Sequence, residues 1–310
     1  MTTYLLRRIG SSLIALWLVL TLVFFALHLA GDPVRLMLDP SASEETVAAF
    51  RESLGYDAPL VVQYLRFLGS VATFSFPDSL RFRVPASDVV LEKVGPTAEL
   101  AVTAIIIAVA VALLVGYLGA QARRGWVRAL VTWPVSVLQA FPTFYLGVVL
   151  ALVVGVQLGW LPTGGSGTPA HLVLPALTLA LALVPAIART LRASTVRVAG
   201  EDFVRTARAR GLRRSEVVGR HILPNALLPV ITVIGLELGT VLGGSIVLEK
   251  VFSWPGLGQL MITSVVNRDY PVVLASVTFL AVVFIVLNLL VDVAYGLIDP
   301  RIRIGARGRV

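Results

Sequence analysis

The chain has 310 residues, 57% of them hydrophobic and only 14% charged, with a mean hydropathy of +0.87. A water-soluble domain carries about 25% charged residues, so a soluble fold is excluded and an all-α integral membrane protein is expected. The absence of cysteine excludes disulfides and thiol chemistry. The formal net charge of +8 sits in loops between apolar runs, which reads as membrane topology and not as a surface for nucleic acid.

Arg7 and Arg8 precede a charge-free run of 22 residues, 9–30. A secretory apolar region has about 7–15 residues and crossing the hydrocarbon takes about 20. A retained first span is therefore expected, within a segment 1–31. Residues 32–98 follow as an extracytoplasmic insertion, too long for a plain connection. In it Ser41 and Glu44 have capping-box spacing; Val47, Phe50 and Leu54 make an apolar stripe, and Gly55 stops it. A second helix is expected over 60–68, after Pro59, and no pattern emerges over 70–85. With Glu99 at its edge, ten acids stand against six bases here. The unit is a mildly acidic helical cap, either a lid over the spans or a docking platform.

Five further apolar runs meet the length test: 100–122; 129–158, with Pro134 and Pro142 and an expected kink; 171–188, with Pro175 and Pro185; 226–248; and 271–291. Six spans put both termini on one side. The amino terminus, the 123–128 and 189–220 loops and the carboxyl tail carry eighteen basic residues, against eight on the other face. By the positive-inside rule that face is cytoplasmic. The core of five spans then runs over 99–300, with a basic tail at 301–310. The 159–169 loop reads as a turn with Trp160 at the interface. The 252–258 loop, around Trp254, Pro255 and Gly256, is either a turn anchored by its tryptophan or a re-entrant element at a gate.

Within the spans, Glu237 lies among Gly235, Gly239, Gly243 and Gly244, which let another helix approach. An intramembrane acid faces a cavity or a partner, so Glu237 either lines a translocation path or is a neutral, hydrogen-bonded group at a helix contact. Gln139, beside Phe141 and Pro142, and Asn288 are further path candidates. Asn288 and Asp292 share one helix face, and a structural pair of Asp292 with a loop arginine is the alternative there. His28 reads as an interfacial histidine and not as a ligand.

The long polar stretch of this apolar region is 201–224, EDFVRTARARGLRRSEVVGRHILP. It holds six arginines, with Phe203, Ala207, Leu212, Val217, Val218 and Ile222 at near-helical intervals. Glu201 and Asp202 suit a helix N-terminus, and Gly211 suits the left-handed residue that ends a helix. Helix, glycine break, second helix and Pro224 at the entry of a span are expected. A basic amphipathic loop of this kind rests on lipid headgroups or on another protein.

This stretch resembles the cytoplasmic "EAA" loop of the permease subunits of ATP-binding-cassette importers, in which E-A-A, a glycine and a terminal I-x-L-P recur. Gly211, Thr206-Ala207 and Leu223-Pro224 fit; Arg205 stands where Glu is expected and His221 where Ile is. The finer similarity is to the dipeptide/oligopeptide/nickel branch and runs end to end. It covers Tyr4-Leu5 with Arg7-Arg8, Gly31-Asp32-Pro33, Gln63-Tyr64-Leu65 and the run from Phe203 to Leu212. It continues through Asn225-Ala226-Leu227-Leu228-Pro229, Phe252 to Gly258, Asn267 to Pro271, Asn288 to Asp292 and Asp299 to Arg303. The chain departs from the branch at FSFPDSL, 74–80, where members carry a Gly-Asp-Leu-Gly turn.

The resemblance implies the type I importer permease fold of six transmembrane helices in a bacterial or archaeal cytoplasmic membrane. It implies a second homologous permease, two ATPase subunits that bind ATP and magnesium, and an extracytoplasmic substrate-binding protein. The coupling loop, 193–225, would meet an ATPase through Glu201, Asp202, Phe203, Arg205, Thr206, Ala207, Arg210, Gly211 and Leu212. No G-x-x-x-x-G-K-[ST] loop, HExxH or G-x-S-x-G occurs in the sequence, so the chain is expected to hold no cofactor or metal and to be no enzyme. An ion-coupled secondary transporter or channel acting without ATPases is the rival; paired broken helices in an internal repeat, its usual mark, are not evident. An intramembrane enzyme lacks a nucleophile, base or metal set. Dipeptides, oligopeptides, glutathione and nickel chelates all fit the resemblance as solutes.

Overall fold

The computed structural model describes residues 2–29, 34–35, 38, 42–53, 55–122 and 124–298. Ser41, Leu54, the side chains of Phe50 and Asp292, and the 301–310 tail lie outside them. In chain order the helices are α1 (Thr2–Leu29), α2 (Glu44–Ser53), α3 (Leu60–Thr73), α4 (Ala86–Gln121), α5 (Gly125–Leu138), α6 (Thr143–Leu150), α7 (Pro169–Ala199), α8 (Asp202–Ala209), α9 (Leu223–Val251), α10 (Leu257–Val266) and α11 (Tyr270–Ile298). Wide π-helical turns extend α6 over Ala151–Gln157 and lead into α9 over Val217–Ile222.

Five of these helical stretches are long and apolar enough to cross a membrane, and α5 with α6 forms a bent pair. The expected kink in the third run is a break of 103° between two helices. Pro134 sits inside α5 without ending it, whereas Pro142 takes the N-cap position of α6 at φ −58°, ψ 140°. A proline is tolerated at a helix start because it removes only a donor that has no partner there. Helix α4 begins at Ala86 and runs continuously across the expected boundary at 98/99. Helix α7 continues past the apolar run through Arg189, Arg192 and Arg197 to Ala199.

The chain forms two compact units, Met1–Thr97 with Pro255–Leu289, and Ala98–Trp254 with Leu290–Val310. In the first, Leu20 and Phe24 of α1 pack with Phe67, Phe76, Val90, Leu257 and Val272. The Gln63-Tyr64 pair ties α3 to α1. The Tyr64 hydroxyl meets Thr21 Oγ1 at 2.6 Å, and Gln63 Nε2 donates to the carbonyls of Tyr56 and Ala58. That leaves Gln63 Oε1 to face His28 Nε2 at 3.1 Å, while His28 Nδ1 lies 2.8 Å from the Phe24 carbonyl. His28 is thus a structural clasp.

The α2 cap is Ser43, whose Oγ accepts from the Thr46 N–H at 3.2 Å. Gly55 ends the segment at φ +69° as expected. Helix α3 ends at Thr73 with Phe74 in the left-handed region, φ 51°. The patternless stretch beyond it is a tight turn: Ser79 N–H donates to Val84 O and Arg83 N–H to Ser79 O. Its base is held by the buried Asp269 carboxylate, which accepts from the Ser79 hydroxyl and the N–H groups of Leu80 and Arg81.

In the second unit α7 is the buried axis, packed against α4, α6 and α9, with Leu174, Leu179, Leu183, Ile187 and Leu191 nearly inaccessible. Glycines permit the closest approaches. A Cβ on Gly116 would lie 2.8 Å from the Ala188 carbonyl oxygen, and one on Gly235 would lie 2.5 Å from a Val291 methyl.

Gly116→Val, facing a rigid backbone oxygen, lowers stability by about 1–3 kcal/mol, whereas Gly243→Ala, with open space around it, is neutral or stabilising by up to ~1 kcal/mol; thermal unfolding in detergent reads both. Asp269→Ala strands the donors of the 79–81 turn, and limited trypsin digestion shows faster cleavage after Arg81 and Arg83 than in the parent chain.

Candidate coupling site

The 201–222 segment folds much as its residues dictate. Glu201 takes the N-cap position in extended geometry, Asp202 places its charge in the first turn of α8, and Arg210 caps the other end. Gly211 then reverses the chain at φ +78°, a conformation that costs a side-chain-bearing residue about 1–2 kcal/mol. Beyond it the Arg213 N–H donates to Glu216 Oε2 at 3.3 Å, restarting the helix. The expected second helix is continuous with the span, and Arg214–Val251 is one helical stretch of 38 residues. The π-turn just before Pro224 explains that continuity, because the proline ring would clash with the carbonyl four residues back in a regular α-helix.

Helix α8 has two sharply different faces. Val204 is fully buried and Ala207 nearly so, both in the same cluster as α7 and α9. Phe203, which the sequence puts on the apolar stripe, is 45% exposed. Ala207 of that stripe is buried, but at its start two neighbouring apolar residues compete for the inward position on a helix of 8 residues, and the smaller, β-branched Val204 takes it, in the cluster that α7 and α9 share. Glu201, Asp202, Arg205, Thr206, Arg210 and Gly211 are exposed, as is Leu212. Asp202 and Arg205 pair at 3.2 Å, an exposed contact worth at most ~0.5 kcal/mol. The coupling candidates therefore share one exposed surface, apart from Ala207, which anchors it from beneath.

The path candidates have different partners. Gln139 caps α5, and its Oε1 accepts from Arg189 Nη1 at 2.5 Å. Asn288 is half-buried and donates to its own helix at Phe284 O, 2.8 Å away. Glu237 is half-buried with the Thr240 side chain in hydrogen-bonding reach. By helical spacing it shares the face of Val230, Val241 and Leu248, on which it is the half-buried member. Of the glycines around it, Gly235 makes the close approach to Val291.

The 252–258 loop is built from both ends. Trp254 is buried and its N–H donates to Glu249 O at 2.8 Å; the Phe252 carbonyl accepts from Gly165 N–H at 2.8 Å, over a Gly164 that no side chain could replace. Pro255 and Gly256 lead into α10, where Leu257 N–H donates to Thr97 Oγ1 at 2.8 Å. Sequence reasoning missed α10, too short at 10 residues to cross a membrane. It also missed Glu249, fully buried near the end of α9. The signal was present: Glu249 lies four residues after Ser245 on the buried side of α9, but a run that passes Glu237 and is ended at Leu248, before the Glu249-Lys250 pair, leaves it outside.

Among the described residues no group of three or more His, Cys, Asp or Glu could hold a metal ion. Residues 108–304 match the family of binding-protein-dependent transport system inner membrane components, and residues 1–78 match its N-terminal companion. The glutathione transport system permease protein GsiC of Salmonella paratyphi A is 43% identical over 98% of this chain and 99% of its own. GsiC of Escherichia coli K12 is 42% identical over the same shares. A chain of the inward-facing MetNI methionine ABC transporter superposes with TM-score 0.59 at 19% identity, over 68% of this chain and 96% of that one. A chain of an amino acid ABC transporter crystallised with histidines gives 0.52 at 18% identity, over 69% and 94%. The chain belongs to the inner membrane components of binding-protein-dependent transport systems, as a non-catalytic, multi-pass permease subunit of an ABC importer with the type I fold.

Proposed function

We propose that this permease pairs with a second, homologous permease to carry a small peptide-class solute inward, and that the exposed face of α8 is where an ATPase subunit takes hold. The observation that carries the reading is the two-sidedness of α8. Phe203 projects outward beside arginines, while Val204 and Ala207 are rooted in the core shared with α7 and α9. An exposed aromatic on a short, rigidly rooted helix has the makings of an interface anchor. The ATPases bind ATP and magnesium; this chain holds neither. Both termini and the α8 surface lie on the cytoplasmic side, a topology supported by the excess of arginine in those loops.

A peptide-class solute is supported by the glutathione transport named for the relatives and by the acid in α9. Glu237 is a half-buried member of the face of Val230, Val241 and Leu248, so movement of α9 would change what it meets. The external unit, residues 32–98, receives the substrate-binding protein.

Phe203→Ser, in the transporter reconstituted with its second permease and ATPases, lowers ATP-driven uptake at least about tenfold, or ~1.4 kcal/mol, while membrane insertion is unchanged; uptake at parental rate rejects the assignment. Glu237→Gln slows uptake of cationic peptides more than neutral ones if the carboxylate lines the path; equal rates for both assign it to helix packing.

A further inference from the structure

Three helical stretches meet around one cleft. Gln121 is the last residue of α4, Ala199 the last of α7, and the Val217–Ile222 turn leads into α9. With Arg208, Leu212 and Arg214 they line a cavity of about 520 Å³. Its depth in the bilayer follows from α4. The charge-free run from Leu100 to Ala122 has 23 residues, about 34 Å of helix against a hydrocarbon core of about 30 Å. A cleft beside Gln121 therefore opens at the level of the headgroups.

The lining is amphipathic. Val196, Leu212, Val217 and Val218 supply apolar walls, Arg208 and Arg214 supply two guanidinium groups, and no acid lines the cleft. Arg214 is oriented by a hydrogen bond to Gln121 Oε1. Among the described residues the Arg208 guanidinium has no ion pair or hydrogen bond. A guanidinium offers five donors in a rigid fork that suits phosphate oxygens two at a time. Basic pockets between spans at the headgroup level of an anionic leaflet bind lipid headgroups. A free anion would use only the arginines and leave the valine and leucine walls wet; a glycerophospholipid uses both.

The geometry points to this cleft as a binding site for an anionic phospholipid, with its phosphodiester between Arg208 and Arg214 and its glycerol end against Leu212, Val217 and Val218. Such a lipid braces the coupling segment from below, on the side away from the exposed Phe203. The site needs no ATPase, so it stands or falls apart from the proposed docking.

The full chain in detergent is titrated with phosphatidylglycerol and with phosphatidylcholine, and retained lipid is counted by native mass spectrometry. Phosphatidylglycerol is retained in preference. Arg208→Gln with Arg214→Gln weakens it by about thirtyfold, whereas Arg205→Gln with Arg210→Gln, the same charge removed outside the cleft, changes it by less than about threefold. Val196→Trp, which fills the cleft from an exposed position and keeps every charge, also expels the lipid. Equal loss in the two arginine pairs would reduce the effect to diffuse charge and overturn the site. Full competition by inorganic phosphate at matched concentration, or retention in Val196→Trp, would overturn it as well.

Discussion

The contact of Gly116 with the Ala188 carbonyl sets the scale of the second unit. Lipid tails are as apolar as leucine, so helices in a bilayer gain little by hiding apolar surface from one another; close van der Waals contact decides their association. Alanines at 104, 108 and 112 on α4 and at 176, 180 and 188 on α7 are all buried, and their small side chains leave room for the leucines of α7 to interlock. Gly147 performs the same service between α6 and α9, where a Cβ would meet Leu248 and Phe252. Because α7 is surrounded in this way, everything attached to its end inherits a fixed position. That includes α8, which begins three residues after α7 stops.

The polar parts of the structure obey a complementary rule. Several buried or half-buried polar groups are tied to backbone. Asp269 accepts from the 79–81 turn, the Gln63 carboxamide from its amino side serves two carbonyls, and the Thr178 hydroxyl donates to Leu174 O. An unmet donor or acceptor costs about 1–3 kcal/mol, and in a protein with so few polar residues each satisfied one also fixes a register. The arginines follow the opposite logic. All six of the 201–224 segment are exposed, so their charge is available to whatever lies against that surface.

Much of this was legible in the sequence, and the failures have identifiable causes. The number of apolar runs, the helix starts at Leu60 and Asp202, and the left-handed glycines at 55 and 211 follow from short-range chemistry that a single chain carries with it. What could not be read was set by packing. Whether Phe203 or Val204 turns inward depends on the space left beside α7, and hydropathy favours neither. Pro134 and Pro142 looked alike, yet one rides inside α5 and the other opens α6 after a 103° break. A proline removes one hydrogen bond and crowds the carbonyl four residues back; the direction in which the chain then leaves depends on its neighbours. The 74–85 stretch carried no periodicity because its order comes from Asp269, some 190 positions away in sequence.

The rooting of α8 also bears on how force could enter the bundle. A ligand or partner shifts an equilibrium only by as much as it prefers one state over the other, so a partner gripping Phe203 alone would move nothing unless that grip were rigidly linked to the spans. Val204 and Ala207 supply the link, since they belong to the cluster that contains Leu191 of α7 and Ala226 of α9. Closely packed interiors deform little and tend to switch between discrete packings. The π-turn at Val217–Ile222 is then the natural place for α8 and α9 to re-register, because a turn that is already wide can absorb a residue's worth of slip without breaking the helix on either side.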